Sequence, residues 1–371
     1  MSDLGAAGGT LDALALTGVR CMLMRGGSSK GAYFIAGDLP EDVRLRDQLL
    51  LRIMGTPDPR QIDGIGGAHP LTSKVAVVGP SAREGIDVEF LFLQLGVDQP
   101  IVTNRQYCGN ILAGVGPFAL ERGLVEAGGE EARVSIHMLN FDSIAVATFP
   151  LDRGRPSYVG DTSVSGVPGT GAAVRLDFEG IVGSTTGDLL PTGSRVDVID
   201  GVDCTLIDNG MPVVVMRASD LGVTGYETCA ELEANGPLRE RLEPLRLEAG
   251  RLMNLGDVGR ATVPKLTLVA PPLNNGNLST RTFIPHRCHS SIGVFAAVSV
   301  ATAALLPGSP ASDLAVPTAD GSFVLEHPTG SLQTIVRIRQ DSDGRLTVES
   351  AGTVRTARKL MDGRVFPRSY P

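Results

Sequence analysis

The sequence predicts an α/β protein made of two similar halves. A chain of 371 residues fits two domains of ordinary size better than one, and its 42% hydrophobic residues are enough to build cores. Strand-like segments alternate with helical segments, and a short series of local motifs occurs twice in the same order. We expect a first half at about residues 15–190 and a second at about 195–355. A C-terminal segment, 356–371, can return to the first half.

The first half is predicted to contain strands and two helices. Alternating apolar residues indicate the strands, and apolar residues at three- and four-residue spacing indicate the helices. Residues 152–171, with five Gly and two Pro, read as a connecting loop. The predicted strand segments are Val19–Ile35, Lys74–Val78, Val88–Val97 and Ala132–Pro150, and the predicted helices are Leu39–Met54 and Asn110–Leu124.

The second half repeats this plan. A helical region at Ala230–Leu247 should be split into short helices by Pro237 and Pro244, because proline breaks the backbone hydrogen-bond ladder. The Ala-rich segment before Pro307 reads as a buried helix. The remaining predicted elements are strands at Val202–Met216, Lys265–Ala270 and Phe323–Val354, and a helix at Ser290–Leu306.

Three pairs of motifs support an internal duplication. MRGGSSKGAYFIAGDL (24–39) corresponds to IDNGMPVVVMRASDLG (207–222), and Ser73-Lys74-Val75 corresponds to Pro264-Lys265-Leu266. The helix that begins near Cys108 corresponds to the one that begins near Ser290. Each match alone is weak, but three in one order make a repeat the better interpretation.

Composition excludes several classes of function. A net charge of −8, no Trp and 4% aromatic residues disfavour a nucleic-acid-binding protein. No apolar run reaches the roughly 18 residues of a membrane span. Five scattered cysteines without a CxxC pair predict neither a zinc site nor a disulfide framework. With no signal-peptide pattern at the N-terminus, we expect reduced thiols and a cytoplasmic location.

Cys108 is the first candidate for chemistry. It precedes Gly109 and Asn110 at a predicted helix start, where the positive end of the helix dipole lowers a thiol pKa and unpaired N–H groups can hold a carboxylate. The alternative is a buried, inert cysteine, which is the usual fate of a free cysteine. The polar approach Asn-Arg-Gln-Tyr favours the functional interpretation.

Lys74 is the second candidate. It enters an apolar strand directly after Thr72 and Ser73, and a lysine buried there would lose pKa and could act as a base near neutral pH. The alternative, an edge-strand lysine that reaches water, is equally good from this segment alone. Lys265 has the same setting and a weaker claim.

The turn MRGGSSKG suits anion binding. Its backbone N–H groups and side chains offer many donors, although the spacing is not that of a Walker loop, and an ordinary glycine turn is the alternative. The candidate residues are Arg25, Gly27, Ser28, Ser29 and Lys30.

A basic segment before the second helix is the last candidate. In TRTFIPHRCHSSIG, Arg281, His286, Ser290 and Ser291 could bind a carboxylate, or the segment could simply cap the helix. A metal is disfavoured because no carboxylate accompanies the histidines. His327 is either an outer residue of the site or a loop residue, with no functional role favoured, and His69 and His137 receive no role. No GxSxG elbow and no GxGxxG after a strand occur, so no nucleotide cofactor is implied.

Four long motifs resemble one family over nearly the whole chain. MRGGSSKGAYF, RQIDGIGGAHPLTSKVAVV, YCGNILAGVGPFALERGL and STRTFIPHRCHSSIGV are similar to the family of 2-methylaconitate isomerase, methylitaconate isomerase and 4-oxalomesaconate tautomerase. The wording of IPHRCHSSIGV and CGNILAGVGPFALERG looks most like the 4-oxalomesaconate tautomerase branch.

The resemblance implies a diaminopimelate-epimerase-like fold, in which two pseudo-symmetric domains each wrap a curved sheet around a central helix and the active site lies in the cleft between them. The family's catalytic Lys and Cys fall on Lys74 and Cys108. Diaminopimelate epimerases have a second Cys at the mirrored helix start, where this chain has Ser290, so a two-thiol racemase is disfavoured.

The expected activity is a proton shift on a small tricarboxylate, without a metal or organic cofactor, in aromatic-compound degradation. Ser73, Gly109, Asn110, Lys265 and the donors named above would bind the carboxylates. The order of action of Lys74 and Cys108 stays open. Alternatives are an isomerase of methylaconitate or methylitaconate, a proline or amino-acid epimerase, and a non-catalytic binding protein of the same fold. A homodimer is compatible with the sequence.

Overall fold

The computed structural model describes residues 13–104, 108–140, 142–316, 318, 321–342 and 346–368. The chain divides into two compact units. Unit 1 comprises residues up to Leu176 together with those from Arg355 onward, and unit 2 comprises Asp177–Val354. The division therefore falls earlier in the sequence than the expected boundary at residues 190–195.

Helices and strands alternate along the chain in unit 1. Helix α1 (Val43–Met54) begins at Asp42, whose side chain accepts a hydrogen bond from Leu45 N, and ends at Gly55 in the left-handed conformation. Helices α2 (Gly109–Leu112) and α3 (Val115–Glu121) follow one another closely. The strands are β1 Val19–Gly26, β2 Ser29–Ile35, β3 Lys74–Pro80, β4 Val88–Leu95, β5 Val102–Thr103, β6 Glu131–Met138, β7 Ser143–Asp152, β8 Arg155–Pro156, β9 Thr162–Ser163 and β10 Thr170–Gly171.

The main strands of unit 1 pair in an alternating pattern. β1 runs antiparallel to β2, β2 parallel to β3, β3 antiparallel to β4, β4 parallel to β6 and β6 antiparallel to β7. The parallel step sets Gly31 of β2 beside Lys74 of β3. Helix α1 covers an apolar cluster that includes Leu49, Leu50, Val75 and Leu93.

Unit 2 follows the same pattern with its own strands. β13 is antiparallel to β14, β14 parallel to β15, β15 antiparallel to β16, β16 parallel to β18 and β18 antiparallel to β19. The parallel step sets Val213 beside Lys265, the first residue of β15. The strands are β12 Asp197–Ile199, β13 Val202–Asp208, β14 Pro212–Arg217, β15 Lys265–Ala270, β16 Leu278–Ile284, β17 Arg287–Cys288, β18 Ser322–His327 and β19 Gly330–Gln340.

The helices of unit 2 are α4 (Cys229–Ala234), α5 (Gly236–Leu252) and α6 (Val294–Ala304). Helix α6 is buried around its whole circumference from Phe295 to Ala304 and packs against β14 and β19. An apolar helix of this kind is stable only inside a core, which agrees with the interpretation of this segment from its sequence.

Two expectations about helices are wrong in detail. Pro244 lies inside α5 without splitting it. Proline in a helix costs about 3 kcal/mol, but Leu242, Leu245 and Ala249 bury the same helix face before and after it. Helix α6 begins at Val294 with Gly293 as its N-cap, so Ser290 and Ser291 precede the helix rather than open it.

Two strands cross the division between the units. β11 (Ala173–Glu179) contains residues of both. β20 (Leu346–Val365) pairs with β19 over its first part, for example Thr353 with Thr334, and with β1 over its last part, for example Val365 with Val19. Residues 357–365 thus form a strand that pairs with β1 within unit 1. No helix of the described residues combines the length and apolarity that a membrane crossing requires.

Candidate active site

Lys74 is a buried lysine at the first position of β3. The residue is 7% exposed to solvent. Its amine Nζ donates a hydrogen bond to Oε1 of Gln94 on the neighbouring strand. The amine also lies 5.1 Å from the centre of the Phe92 ring. Burial lowers the pKa of Lys74, because the charged ammonium loses hydration, while nearby Cys108 acts in the opposite direction.

A buried glutamine fixes the loop that leads into Lys74. Gln61 donates to Thr56 Oγ1 at 3.0 Å, and its carbonyl oxygen accepts from Ala68 N at 2.9 Å and from Ser73 Oγ at 2.7 Å. Ser73 is fully buried, so its hydroxyl is used to hold this loop. The structure therefore places Ser73 as a support for Lys74 and not as a donor facing open space.

Cys108 is the N-cap residue of α2. The backbone N–H groups of Ile111 and Asn110 and the ammonium of Lys74 all act to lower its thiol pKa, but burial outweighs them and the pKa is raised. The expectation that the helix dipole lowers this pKa is therefore wrong in its net result. Helix α2 has only four residues, and the loss of water around the thiol is the larger effect.

The glycine-rich turn between β1 and β2 lies against the start of α2. Gly27 has a φ of +50°, and a Cβ there would come within 2.1 Å of Asn110 Oδ1, so a side chain is excluded. Ser28 Oγ accepts a hydrogen bond from Asn110 Nδ2 at 3.1 Å. Ser29 is buried and its hydroxyl is among the groups that lower the pKa of Cys108, although it forms no hydrogen bond of good geometry within the described residues. The turn thus brings Ser29 to the thiol and Ser28 to the Asn110 side chain.

The two cations of this turn have different surroundings. Arg25 donates to Gly27 O at 2.9 Å and to the carbonyl and hydroxyl of Thr356 at 3.0 and 2.9 Å. Burial and the nearby Arg358 lower its pKa. Its guanidinium therefore ties the turn to β20. Lys30 is partly exposed at the start of β2.

Three residues near the site had no role in the sequence predictions. Gln94 is the acceptor for the Lys74 amine. Tyr33 donates to Ile111 O at 2.5 Å and so anchors α2. Arg355 of β20 is buried, and burial lowers its pKa to about 10 while Cys108 acts to raise it. A basic residue within a strand of buried neighbours, Thr353 to Ala357, is the signal that could have indicated Arg355.

A cavity opens beside the Lys74 amine. It has a volume of about 840 Å³ and is lined by Lys74 and Gln94 together with Pro70, Asp98 and Gln99, among others. The volume is ample for a small organic acid. Lys74 thus borders space for a ligand although its side chain is mostly buried.

In unit 2, Lys265 takes the corresponding position at the start of β15. It is buried, and its Nζ donates to Thr262 O at 2.6 Å. Burial and, to a smaller extent, the nearby Arg246 together lower its pKa to about 8. His289 lies close enough to Lys265 for the lysine to lower the histidine's pKa, in addition to the larger effect of burial. Nδ1 of His289 accepts a hydrogen bond from Ser291 N at 2.8 Å.

Histidine and arginine surround the segment before α6. His327 is buried and its Nε2 lies 3.2 Å from Ser291 Oγ; burial, His289 and Arg281 together lower its pKa to about 4. Of the two interpretations of His327, a loop residue or an outer residue of the site, its position at the end of β18 beside Ser291 agrees with the second. Arg281 is buried and donates to the carbonyls of Glu227 and Thr280. Ser290 is exposed, and its carbonyl accepts from Thr329 Oγ1.

His286 is not brought together with these groups. Its side chain is 58% exposed and Nδ1 lies 3.6 Å from Glu243 Oε2. It lines a separate cavity of about 390 Å³ with Arg239 and Glu240 of α5. The expected grouping of His286 with Arg281 is therefore not present, because the β16–β17 turn carries His286 onto helix α5. Within the described ranges, no three His, Cys, Asp or Glu side chains are arranged to hold a metal ion.

Comparison with known proteins gives matches over nearly the whole chain. The family model described as PrpF protein matches residues 17–368. The (4E)-oxalomesaconate Delta-isomerase of Novosphingobium sp. (strain KA1) is 57% identical over 348 residues, which cover 93% of this chain and 96% of that protein. The 4-oxalomesaconate tautomerase of Pseudomonas putida (strain KT2440) is 53% identical over 352 residues, 94% of this chain and 96% of that protein.

The structural comparison agrees with the sequence comparison. A crystal structure of methylitaconate-delta-isomerase superposes with a TM-score of 0.84 at 33% identity and covers 93% of this chain and 94% of that one. The diaminopimelate-epimerase-like fold expected from the four motifs is confirmed by this match.

Proposed function

This chain belongs to the PrpF protein family, and on that premise we propose that it is an isomerase that shifts a proton on 4-oxalomesaconate. The substrate assignment is supported by identities of 57% and 53% to proteins named for that compound, against 33% to the methylitaconate-delta-isomerase structure. The reaction assignment is supported by the residues around Lys74 and Cys108.

One observation carries the mechanism. Burial pushes the pKa of Lys74 down and the pKa of Cys108 up, so both groups are favoured in their uncharged forms. A neutral amine can accept a proton and a neutral thiol can give one. A proton shift by acid–base catalysis needs one group that accepts a proton and another that donates one, and the two environments provide both.

In the proposed reaction, Lys74 removes a proton from a carbon made acidic by the substrate's keto and carboxylate groups. The electrons enter the conjugated system, the double bond moves, and Cys108 gives its thiol proton to the allylic carbon. The products on the protein are an ammonium and a thiolate, which attract one another; transfer of the proton between them restores the starting state. The substrate's own carbonyl accepts the charge, so no cofactor is required.

Donors around the thiol would stabilise the negative charge of the intermediate. The N–H groups of Asn110 and Ile111 already act on the sulfur, and the Ser29 hydroxyl is close to it. We propose that Gly27, Ser28, Lys30, Gly109, Lys265, Arg281, Ser290 and Ser291 bind substrate carboxylates, with Arg25 shaping the turn. A cytoplasmic location, a homodimer and a role in aromatic-compound degradation stay predictions.

The deciding experiment is proton NMR of the purified protein with 4-oxalomesaconate in deuterated water. We expect conversion to a tautomer or double-bond isomer, with deuterium from solvent incorporated at one or both exchanging carbons. A panel containing 2-methylaconitate and 3-methylitaconate tests the related activities. Faster turnover of either compound would replace the substrate proposed here. No conversion and no exchange with any of them would favour a binding protein.

A further inference from the structure

Gln94 is held in one orientation by the backbone around it. Its amide nitrogen Nε2 donates to three carbonyl oxygens, those of Pro70, Ser73 and Leu95, each at 3.1 Å. Only the NH₂ end of the amide can face carbonyl oxygens, because the other end is itself an acceptor. The carbonyl oxygen Oε1 must therefore point the other way, which is toward the Lys74 amine.

The same contact orients Lys74. Lys74 and Gln94 are directly opposed in the β3–β4 register, and Nζ donates to Oε1. A neutral amine has two N–H bonds and one lone pair. When one N–H is fixed on Gln94, rotation of the amine is limited and the lone pair can be directed into the cavity that both residues line.

The charge of the partner matters as much as its position. Strand β4 supplies a neutral amide and the Phe92 ring to the amine, and the thiol of Cys108 is the titratable group acting on it. Arg355 interacts with that thiol, and the exposed Asp98 lies on the cavity wall. A carboxylate at position 94 would instead be a full negative charge at hydrogen-bonding distance, which commonly moves a lysine's pKa by about 1–3 units.

We infer that Gln94 is a positioning residue for the base: it directs the lone pair of Lys74 into the cavity and, being a neutral acceptor, does not trap the amine as an ion pair. This inference rests on the proposed function. It adds that the identity of residue 94 sets the pH at which the enzyme becomes active.

The first test is the pH profile of kcat/KM for Gln94→Glu. A lysine base works only when deprotonated, so activity rises with pH through its pKa. We expect the acidic limb to move up by at least about 1 pH unit. The rate above that limb should also fall, because the second carboxylate oxygen of the introduced glutamate would face the carbonyl oxygens that the Gln94 amide nitrogen contacts in the wild type. Gln94→Met removes the acceptor. We expect its kcat to fall about 10–100-fold at all pH values with KM little changed and no upward movement of the limb.

A matched control is Gln48→Glu on the exposed face of α1, which adds the same charge elsewhere in unit 1. Its pH profile should equal that of the wild type. If Gln94→Glu and Gln48→Glu give the same profile, the inference is overturned. Thermal unfolding of each variant separates a loss of folded protein from a change in the base.

A second test does not depend on turnover. The chain has four lysines, Lys30, Lys74, Lys265 and Lys359, so ¹³Cε-labelled lysine gives four NMR signals. The signal that is missing in Lys74→Met is that of Lys74. We expect the Lys74 signal to titrate at higher pH in Gln94→Glu than in wild type. An unchanged titration overturns the role of Gln94, whatever the substrate. Failure of the proposed function would instead show as absent turnover in the wild type with the titration shift still present.

Discussion

Lys74 in unit 1 and Lys265 in unit 2 occupy the same place in the strand order but have different partners. Each is the first residue of a strand that runs parallel to its neighbour, and burial lowers the pKa of each. The Lys74 amine meets a side-chain amide, an aromatic ring and a thiol. The Lys265 amine meets a backbone carbonyl and lies near Arg246 and His289.

The difference indicates how one architecture supports two tasks. In unit 1 a proton donor and a proton acceptor are placed near each other with few competing charges. In unit 2 several cationic or donor groups lie together, an arrangement suited to carboxylates and not to moving a proton between carbons. We therefore expect the chemistry to depend on unit 1 and the affinity for an anionic substrate to depend more on unit 2.

The largest expected effect is that of Lys74→Met. This change removes the amine but keeps most of the apolar stem, so kcat should fall by about 10³–10⁴-fold and solvent deuterium should no longer enter the carbon that Lys74 deprotonates. Steady-state kinetics and NMR exchange measure both. Lys359→Met, which removes a lysine that forms an ion pair with Glu121, is the control and should keep normal kcat. Near-normal turnover in Lys74→Met would remove the lysine base.

Cys108→Ser should have the next largest effect. The hydroxyl is a much weaker acid than the thiol, so kcat should fall about 10²–10⁴-fold with KM little changed. Exchange at the carbon deprotonated by Lys74 should persist, since that step precedes the thiol. Cys288→Ser is the control, because Cys288 is a buried residue of the unit 2 core. Equal losses in the two variants would revive a two-thiol epimerase.

Lys265→Met sharpens the comparison between the two lysines. Loss of one charged hydrogen bond to a carboxylate corresponds to about 1.5–3 kcal/mol, so we expect KM to rise about 10–100-fold with kcat within a few-fold of wild type. The measurement is a full substrate titration beside Lys74→Met. A collapse of kcat at unchanged KM would make the lysines equivalent and end the proposed division of tasks.

The last prediction concerns stability and leaves the reaction itself unchanged. The pKa of His327 is about 4 in the folded protein against an ordinary 6.5, so the unfolded chain binds more protons between these values. Stability should therefore fall as pH drops from 6.5 to 4, by up to about 3 kcal/mol from this group. Urea unfolding at several pH values measures the free energy of unfolding. His327→Asn should reduce its dependence on pH between 4 and 6.5, whereas His286→Asn, at an exposed side chain, should not. If the free energy of unfolding of His327→Asn depends on pH as in the wild type, His327 is hydrated in the folded protein.

The predictions that succeeded from sequence were local ones. Lys265–Ala270 is a strand with the expected bounds, and a helix begins directly after Cys108, because alternation, glycine turns and capping types act over a few residues. The single helix expected at Asn110–Leu124 is instead two short helices, Gly109–Leu112 and Val115–Glu121. The placement of Lys74 at a strand start and of Cys108 at a helix start could be predicted for the same reason.

What could not be predicted depends on distant parts of the chain. Arg355 acts on Cys108 although they are far apart in sequence, and Gln94 faces Lys74 only through strand register. The raised pKa of Cys108 needs the extent of burial, which no single segment contains. Pro244 continues a helix because tertiary packing exceeds the local penalty.

The pairing of β1 with the end of β20 affects how the protein is made. During translation, β1 emerges early, but its partner residues 357–365 follow only after the whole of unit 2. Until then one edge of β1 lacks its hydrogen-bonding partner, while the strands of unit 2 up to β19 have already left the ribosome. An unpaired edge strand invites association with other chains. Unit 1 therefore has a longer vulnerable period than unit 2, whose β19 waits only for the first part of β20, and slow translation of the codons for unit 2 should prolong it.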